Sequence, residues 1–157
     1  MGDVTDNFSR HEFGLSRGAA GAFGFAPAPY PEEWVEERLK VLCGELEKLR
    51  AKLGGPKMHV VEAGGYRPRA YDAERIRRGA RGVSPVSQHG EGRAADIRVD
   101  GYTSSEVYEV ALAMVEAGEL RLGGLGVYDS FCHFDVRPDK FRAWDKRSSA
   151  PSPEHDD

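Results

Sequence analysis

The stretch Ser87-Gln88-His89-Gly90-Glu91-Gly92-Arg93-Ala94-Ala95-Asp96 sets a histidine and an aspartate seven residues apart across a glycine-bearing bend. Gly90 and Gly92 give the backbone a freedom that bulkier residues deny, and Ala94 and Ala95 keep the surrounding wall close-fitting. With His89 on the bend and Asp96 inside a strand from Ala94 to Val99, both side chains fold back onto one point. A second histidine stands in Phe131-Cys132-His133-Phe134-Asp135-Val136-Arg137. His133 and Asp135 are two apart on a strand and so face the same way. His89, Asp96 and His133 make a three-ligand N/O set that leaves one tetrahedral position open, the pattern of a catalytic zinc site rather than a closed structural one. Zinc in such a site brings the pKa of its water to roughly 7. The expected chemistry is hydrolysis of an amide bond.

The pattern Ser-x-His-x-x-Gly-x-Ala-x-Asp, from Ser87 to Asp96, resembles the signature of the zinc D-Ala-D-Ala carboxypeptidase and L-alanyl-D-glutamate endopeptidase superfamily, which shares its fold with the hedgehog signalling domain. Three further segments match in order. Gly64-Gly65-Tyr66-Arg67-Pro68 resembles the segment that supplies an active-site arginine. Gly124-Leu125-Gly126-Val127-Tyr128 with Phe131 to Asp135 resembles the closing strand pair. Asn7-Phe8-Ser9-Arg10-His11-Glu12-Phe13 resembles the opening segment of the bacterial murein endopeptidase branch. The resemblance runs from about Asn7 to Trp144 and implies Zn2+ held by His89, Asp96 and His133, acting on peptidoglycan peptides.

Roles around the metal set follow from chemistry. Arg67 comes after a Gly-Gly-Tyr break at a strand end, where a side chain turns into a cleft. A guanidinium there stabilises the oxyanion that builds during hydrolysis; the competing reading pairs it with Asp72 or Glu74. Relatives place an acid three residues before the last zinc histidine, but this chain has Ser130 there. The His-x-Asp form resembles the murein endopeptidase branch, and this resemblance implies Asp135 as the first candidate for general base, with Asp129 the second. Tyr66 and Ser87 are substrate-binding candidates, with Ser87 alternatively ending the turn or bonding a ligand.

Composition bounds the rest. A chain of 157 residues suits one domain that buries about 70% of its unfolded surface. Hydrophobic and charged fractions of 39% and 31% are those of a globular protein. A net charge of −4 argues against nucleic acid as a partner. Arginines do gather at 67, 69, 75, 77, 78, 81 and 93, either a solvated basic face or an attractor for the carboxylates of wall peptides. Cys43 and Cys132 make no disulfide framework, and Cys132 is read as core. No stretch has the form of a signal peptide or a membrane span. The expectation is synthesis in the cytoplasm, action at the cell wall or periplasm, and delivery by a holin, secretion or injection apparatus.

Periodicity predicts an α+β fold, a small and mostly antiparallel sheet with helices on one side. Val35, Leu39, Leu42, Leu46, Leu49 and Leu53 form one helical stripe between Pro31 and Gly54. Strands are expected at Met58 to Ala63, Ala94 to Val99, Gly124 to Tyr128 and Phe131 to Val136. His59, on the first of these, is read as a strand histidine rather than a ligand. Tyr71 to Gly82 reads as a helical turn plus loop. Thr103-Ser104-Ser105-Glu106 is a capping box for a helix closed by Gly118. The expected domain spans 1–147, with a flexible Gly/Ala/Pro loop at 14–31 and a disordered tail at 148–157. The function expected is a zinc metallopeptidase cutting peptidoglycan stem peptides or cross-links. The alternatives are a D-Ala-D-Ala carboxypeptidase and a zinc-containing murein-binding module without catalysis.

Overall fold

The computed structural model describes residues 2–84 and 86–148. Of the tail expected to be disordered, only Ser148 falls within the described residues; its N–H and hydroxyl both bond to Asp129.

The stretch read as a loop at 14–31 carries a five-residue helix, α1 (Arg17–Gly21), capped by Ser16, whose Oγ accepts from the Ala19 N–H at 3.2 Å. Leu15, Ala19 and Ala20 pack with Tyr71, and Phe23 meets that ring edge-on at 5.5 Å. So short a helix holds too few apolar residues for a period to register. After Pro31, a 3-10 turn (Glu32–Trp34) and a π turn (Val35–Leu39) lead into α2 (Lys40–Lys52). The predicted stripe is buried from Leu39 onward, with Leu39, Leu42, Leu46 and Leu49 at most 1% exposed, and half-buried at Val35. Glu45 lies beside it and is satisfied by the Arg121 N–H at 2.8 Å and by Lys48 at 3.0 Å. Gly54 and Gly55, at φ +95° and +86°, end the run.

The sheet is built from β1 (Met58–Val60), β2 (Ala94–Val99), β3 (Gly124–Val127), β4 (Cys132–Asp135) and β5 (Arg142–Asp145), in the order β1-β2-β4-β3-β5. All neighbours are antiparallel except β3 and β5. The β1 strand stops short of Ala63 because the chain turns there: Gly64 N–H bonds back to the Val61 carbonyl at 2.8 Å, and Ala63 takes φ +58°. Between β1 and β2 lies α3 (Arg69–Arg77), and between β2 and β3 lies α4 (Ser104–Glu116). The capping box closes as expected, with Glu106 N–H on Thr103 Oγ1 at 3.1 Å and Thr103 N–H on Glu106 Oε1 at 2.8 Å. The β5 strand was not anticipated, since its Arg-Ala-Trp-Asp sequence has no apolar alternation and only Trp144 is buried.

Strand alternation separates two faces. Ala95, Ile97, Leu125, Val127, Cys132 and Phe134 join the core with the α2 leucines and with Val107, Ala111 and Met114 of α4. Cys132 is thus core, as read. Ala94, Asp96, His133, Asp135, Gly124 and Gly126 share the opposite face, because Asp96 pairs with His133, and His133 with Gly126. Among the described residues no helix is long and apolar enough to cross a membrane.

Candidate metal centre

His89 sits on a tight double turn. Ser87 Oγ accepts the His89 N–H at 3.0 Å, and Gly90 N–H bonds to the Ser87 carbonyl at 3.0 Å. Ser87 therefore shapes the turn. Gly92 has φ +72°, and a Cβ there would lie 2.6 Å from the Trp34 ring and 2.8 Å from Tyr30 Oη, so only glycine fits. The fixed turn aims the imidazole inward, fully buried.

Hydrogen bonding sets the His89 tautomer. Nδ1 lies 2.9 Å from the Gly65 carbonyl, which can only accept, so Nδ1 carries the proton and Nε2 a lone pair. That Nε2 is buried and, among the described residues, has no hydrogen-bond partner. It lies 3.4 Å from Asp96 Oδ1 without a hydrogen bond to it. The same logic applies to His133. Its Nε2 meets Asp135 Oδ2 at 2.7 Å and must donate, leaving Nδ1 facing Asp96 Oδ1 at 3.1 Å. Two nitrogen lone pairs thus converge on one carboxylate oxygen, an arrangement that calls for a cation. Without a metal, a proton on His133 supplies it: burial alone would lower that pKa, but Asp135 and Asp96 outweigh burial and raise it to about 10. Burial opposes ionisation of Asp96 too, yet positive charge on the neighbouring imidazoles holds its carboxyl well below the usual range.

The donor set fits zinc. One ligand atom from each of His89, Asp96 and His133 lies within 4.8 Å of the others, all three residues being buried. Ligands about 2.0–2.1 Å from a tetrahedral zinc stand roughly 3.3 Å apart, close to the 3.4 and 3.1 Å separations found.

The surroundings of this set differ from expectation in several respects. Asp135 is fully buried, and Arg137 grips its carboxylate through Nε at 2.8 Å and Nη2 at 2.6 Å while His133 takes Oδ2. Burial pushes the Asp135 pKa up, but Arg137 and His133 more than reverse this. Asp129 extends from the β3–β4 turn, and both its oxygens accept from Ser148. Tyr66 is half-buried and packs edge-on against Tyr30 and Trp34 at 6.2 and 6.0 Å. Arg67 makes the pairing with Asp72, Nε lying 3.0 Å from Asp72 Oδ1, and its Nη1 lies 3.9 Å from Asp96 Oδ2, at the edge of the set. Glu74, the other suggested partner, is taken by Arg77 and Arg78. Arg69 and Arg93 both meet Glu91. Six arginines of the cluster thus meet a carboxylate, but they share Asp72, Glu74 and Glu91 in pairs, so the cluster keeps a net positive charge. His59 meets Asp100 at 3.0 Å, away from the metal set.

Trp144 is a neighbour that sequence reasoning missed. Its ring lies 5.1 Å from His133, and Nε1 donates to Tyr128 Oη at 3.1 Å. The Gly-x-Gly strand carried the signal: a Cβ on Gly126 would stand 2.3 Å from Trp144 Nε1, and one on Gly124 2.3 Å from Asp135 Oδ2. Those glycines are the space that the indole and the carboxylate occupy.

A family model described as peptidoglycan L,D-endopeptidase MepK (Peptidase_M15_2) matches residues 33–144. The chain belongs to this family. The matched span holds Arg67, all three members of the metal set and Trp144, whereas the opening segment from Asn7 to Phe13 precedes it. The peptidoglycan L,D-endopeptidases MepK of Escherichia coli strain K12, of Escherichia coli O157:H7 and of Shigella flexneri are each 34% identical over 99 residues, covering 62% of this chain and 50% of the relative. The chain thus spans about half the length of the curated relatives it matches. No solved structure matches it.

Proposed function

We propose that this chain is a zinc metallopeptidase that cleaves peptide bonds in peptidoglycan stem peptides or their cross-links. The observation that carries the proposal is the buried, unshared Nε2 of His89 converging with His133 Nδ1 on Asp96 Oδ1. Family membership supplies the substrate class. Zinc held by His89, Asp96 and His133 would supply a Lewis acid for the scissile carbonyl and would lower the pKa of a water toward neutral. The chain's own groups do the rest. His89 and His133 are held in ligating tautomers by Gly65 and Asp135, and Arg67 brings a fixed positive charge to the edge of the set, where the scissile oxygen becomes anionic.

In this reading Asp135 is a support for His133 rather than the base. A carboxylate gripped by Arg137 and spent on His133 orients the imidazole, the usual second partner of a metal-bound histidine. Asp135→Asn is therefore expected to weaken zinc binding about 10- to 100-fold, as loss of such a partner does. Asp129→Asn is expected to keep both zinc and cleavage. Zinc titration with a competing chelator, alongside cleavage assays, reads both. Unchanged zinc affinity with abolished cleavage in either variant returns that residue to the role of base.

The decisive assay digests purified murein with the zinc-loaded protein at pH 5 to 9 and identifies the fragments by mass. Fragments cut within stem peptides or cross-links are expected. Release of terminal D-Ala alone makes the chain a carboxypeptidase. Tight murein binding with no fragment at any pH makes it a binding module.

A further inference from the structure

We infer that Asp72 is a positioning residue that sets the aim of Arg67, an inference that rests on the proposed role of Arg67 at the oxyanion. Asp72 lies in the first turn of α3 and is 2% exposed; Arg67, just ahead of that helix, is 5% exposed. The carboxylate takes Arg67 Nε with Oδ1 at 3.0 Å and Oδ2 at 3.2 Å. A second anchor acts on a different nitrogen: Nη1 donates to the Ala63 carbonyl at 3.0 Å. Two anchors on different nitrogens fix a planar guanidinium against rotation, which one contact does not.

The backbone around these anchors is held for the same purpose. Ala63 has φ +58°, the one non-glycine residue among those described with a positive φ. Such conformations persist only where the surroundings over-determine them, and they gather at functional sites. Here the turn at Ala63 presents the carbonyl that Arg67 uses. The Arg67 N–H also bonds to the His89 carbonyl at 3.3 Å, tying the arginine to the turn that carries the metal set. Held this way, Nη1 stands 3.9 Å from Asp96 Oδ2, too far for a hydrogen bond. Besides Asp72, Asp96 is a second carboxylate within 4 Å of the guanidinium among the described residues. Without Asp72, Arg67 would swing onto Asp96, losing its aim at the substrate. Arg75 shares Asp72 Oδ1 at 2.9 Å and places its guanidinium 5.7 Å from the centre of the Tyr71 ring, so the carboxylate is itself held in place.

A double-mutant cycle tests the inference, because residues that act as a unit lose activity non-additively. Turnover of a soluble murein-derived peptide is measured for the wild type, Asp72→Ala, Arg67→Ala and the double variant, with zinc content and thermal midpoint recorded for each. Asp72→Ala is expected to retain zinc and lose about 10- to 100-fold in kcat, the scale of a misplaced group, with KM little changed. In the Arg67→Ala background the same substitution should cost nothing further in kcat. Asp72→Asn, which still accepts from Nε, should recover most of the loss. If Asp72→Ala does not fold, Asp72→Ser takes its place in the cycle and is expected to show the same loss and the same non-additivity. Losses that multiply in the double variant overturn the positioning role while leaving the role of Arg67 intact. Normal turnover in Arg67→Ala, or no cleavage by the wild type, overturns both.

Discussion

His89→Ala is expected to purify folded, to carry no zinc and to release no fragment from murein. The reason is the fixed direction of its lone pair. With Nδ1 committed to Gly65, Nε2 has one use, and the remaining two ligands cannot keep a metal against dialysis. The fold should survive, because Asp96 retains His133 as a buried partner at 3.1 Å, and the raised pKa of His133 keeps that partner protonated at neutral pH. Metal analysis of the wild type should find about one zinc per chain, the stoichiometry of a single three-ligand site. A chelator should lower the thermal midpoint of the wild type, since a metal that binds only the folded state stabilises it by about 4 kcal/mol at a thousandfold excess over Kd. The same chelator should leave the midpoint of His89→Ala unmoved. Full zinc occupancy in that variant would refute the site. Asp96→Ala and His133→Ala should behave alike.

The elements legible in the sequence are those whose causes are local. The capping box at Thr103 and the four-and-three spacing of the α2 leucines each lie within a few residues, and the structure realises both. So do β2, β3 and β4, which carry the glycine, alanine and histidine motifs. The β5 strand was illegible because its place is set by pairing with β3, and nothing within Arg142–Asp145 alternates. The α1 helix was illegible because its support is tertiary, from Tyr71 on another helix.

The same division holds at the site. The grouping of His89, Asp96 and His133 could be read because spacing along the chain and strand alternation bring them together. The role of Asp135 could not, since placing it two residues from His133 says nothing of which ring nitrogen it meets. The ring turns Nε2 toward Asp135 and Nδ1 toward Asp96, the contacts on which the proposed supporting role of Asp135 rests. For Arg67 the sequence offered a choice between catalysis and pairing with Asp72. A guanidinium has several donors, and this one touches Asp72 with Nε while Nη1 borders Asp96.

Arg67→Ala is expected to retain zinc and fold yet lose about 10²–10³ in kcat, or 2.7–4 kcal/mol of transition-state stabilisation, the size found on removing one oxyanion donor. The loss should fall on kcat more than on KM, because the scissile oxygen gains charge only as the bond is attacked. Fold should persist because Asp72 keeps Arg75 at 2.9 Å when its other partner is gone. Arg67→Lys should recover only part of the loss: an ammonium keeps the charge but lacks the planar fork that Asp72 and Ala63 hold at two points. Steady-state kinetics on a murein-derived peptide, with zinc content and thermal midpoint measured on the same preparations, separates the two roles of this side chain. A lowered midpoint with normal specific activity makes Arg67 a structural partner of Asp72. Lost turnover at an unchanged midpoint and full zinc makes its guanidinium part of the chemistry.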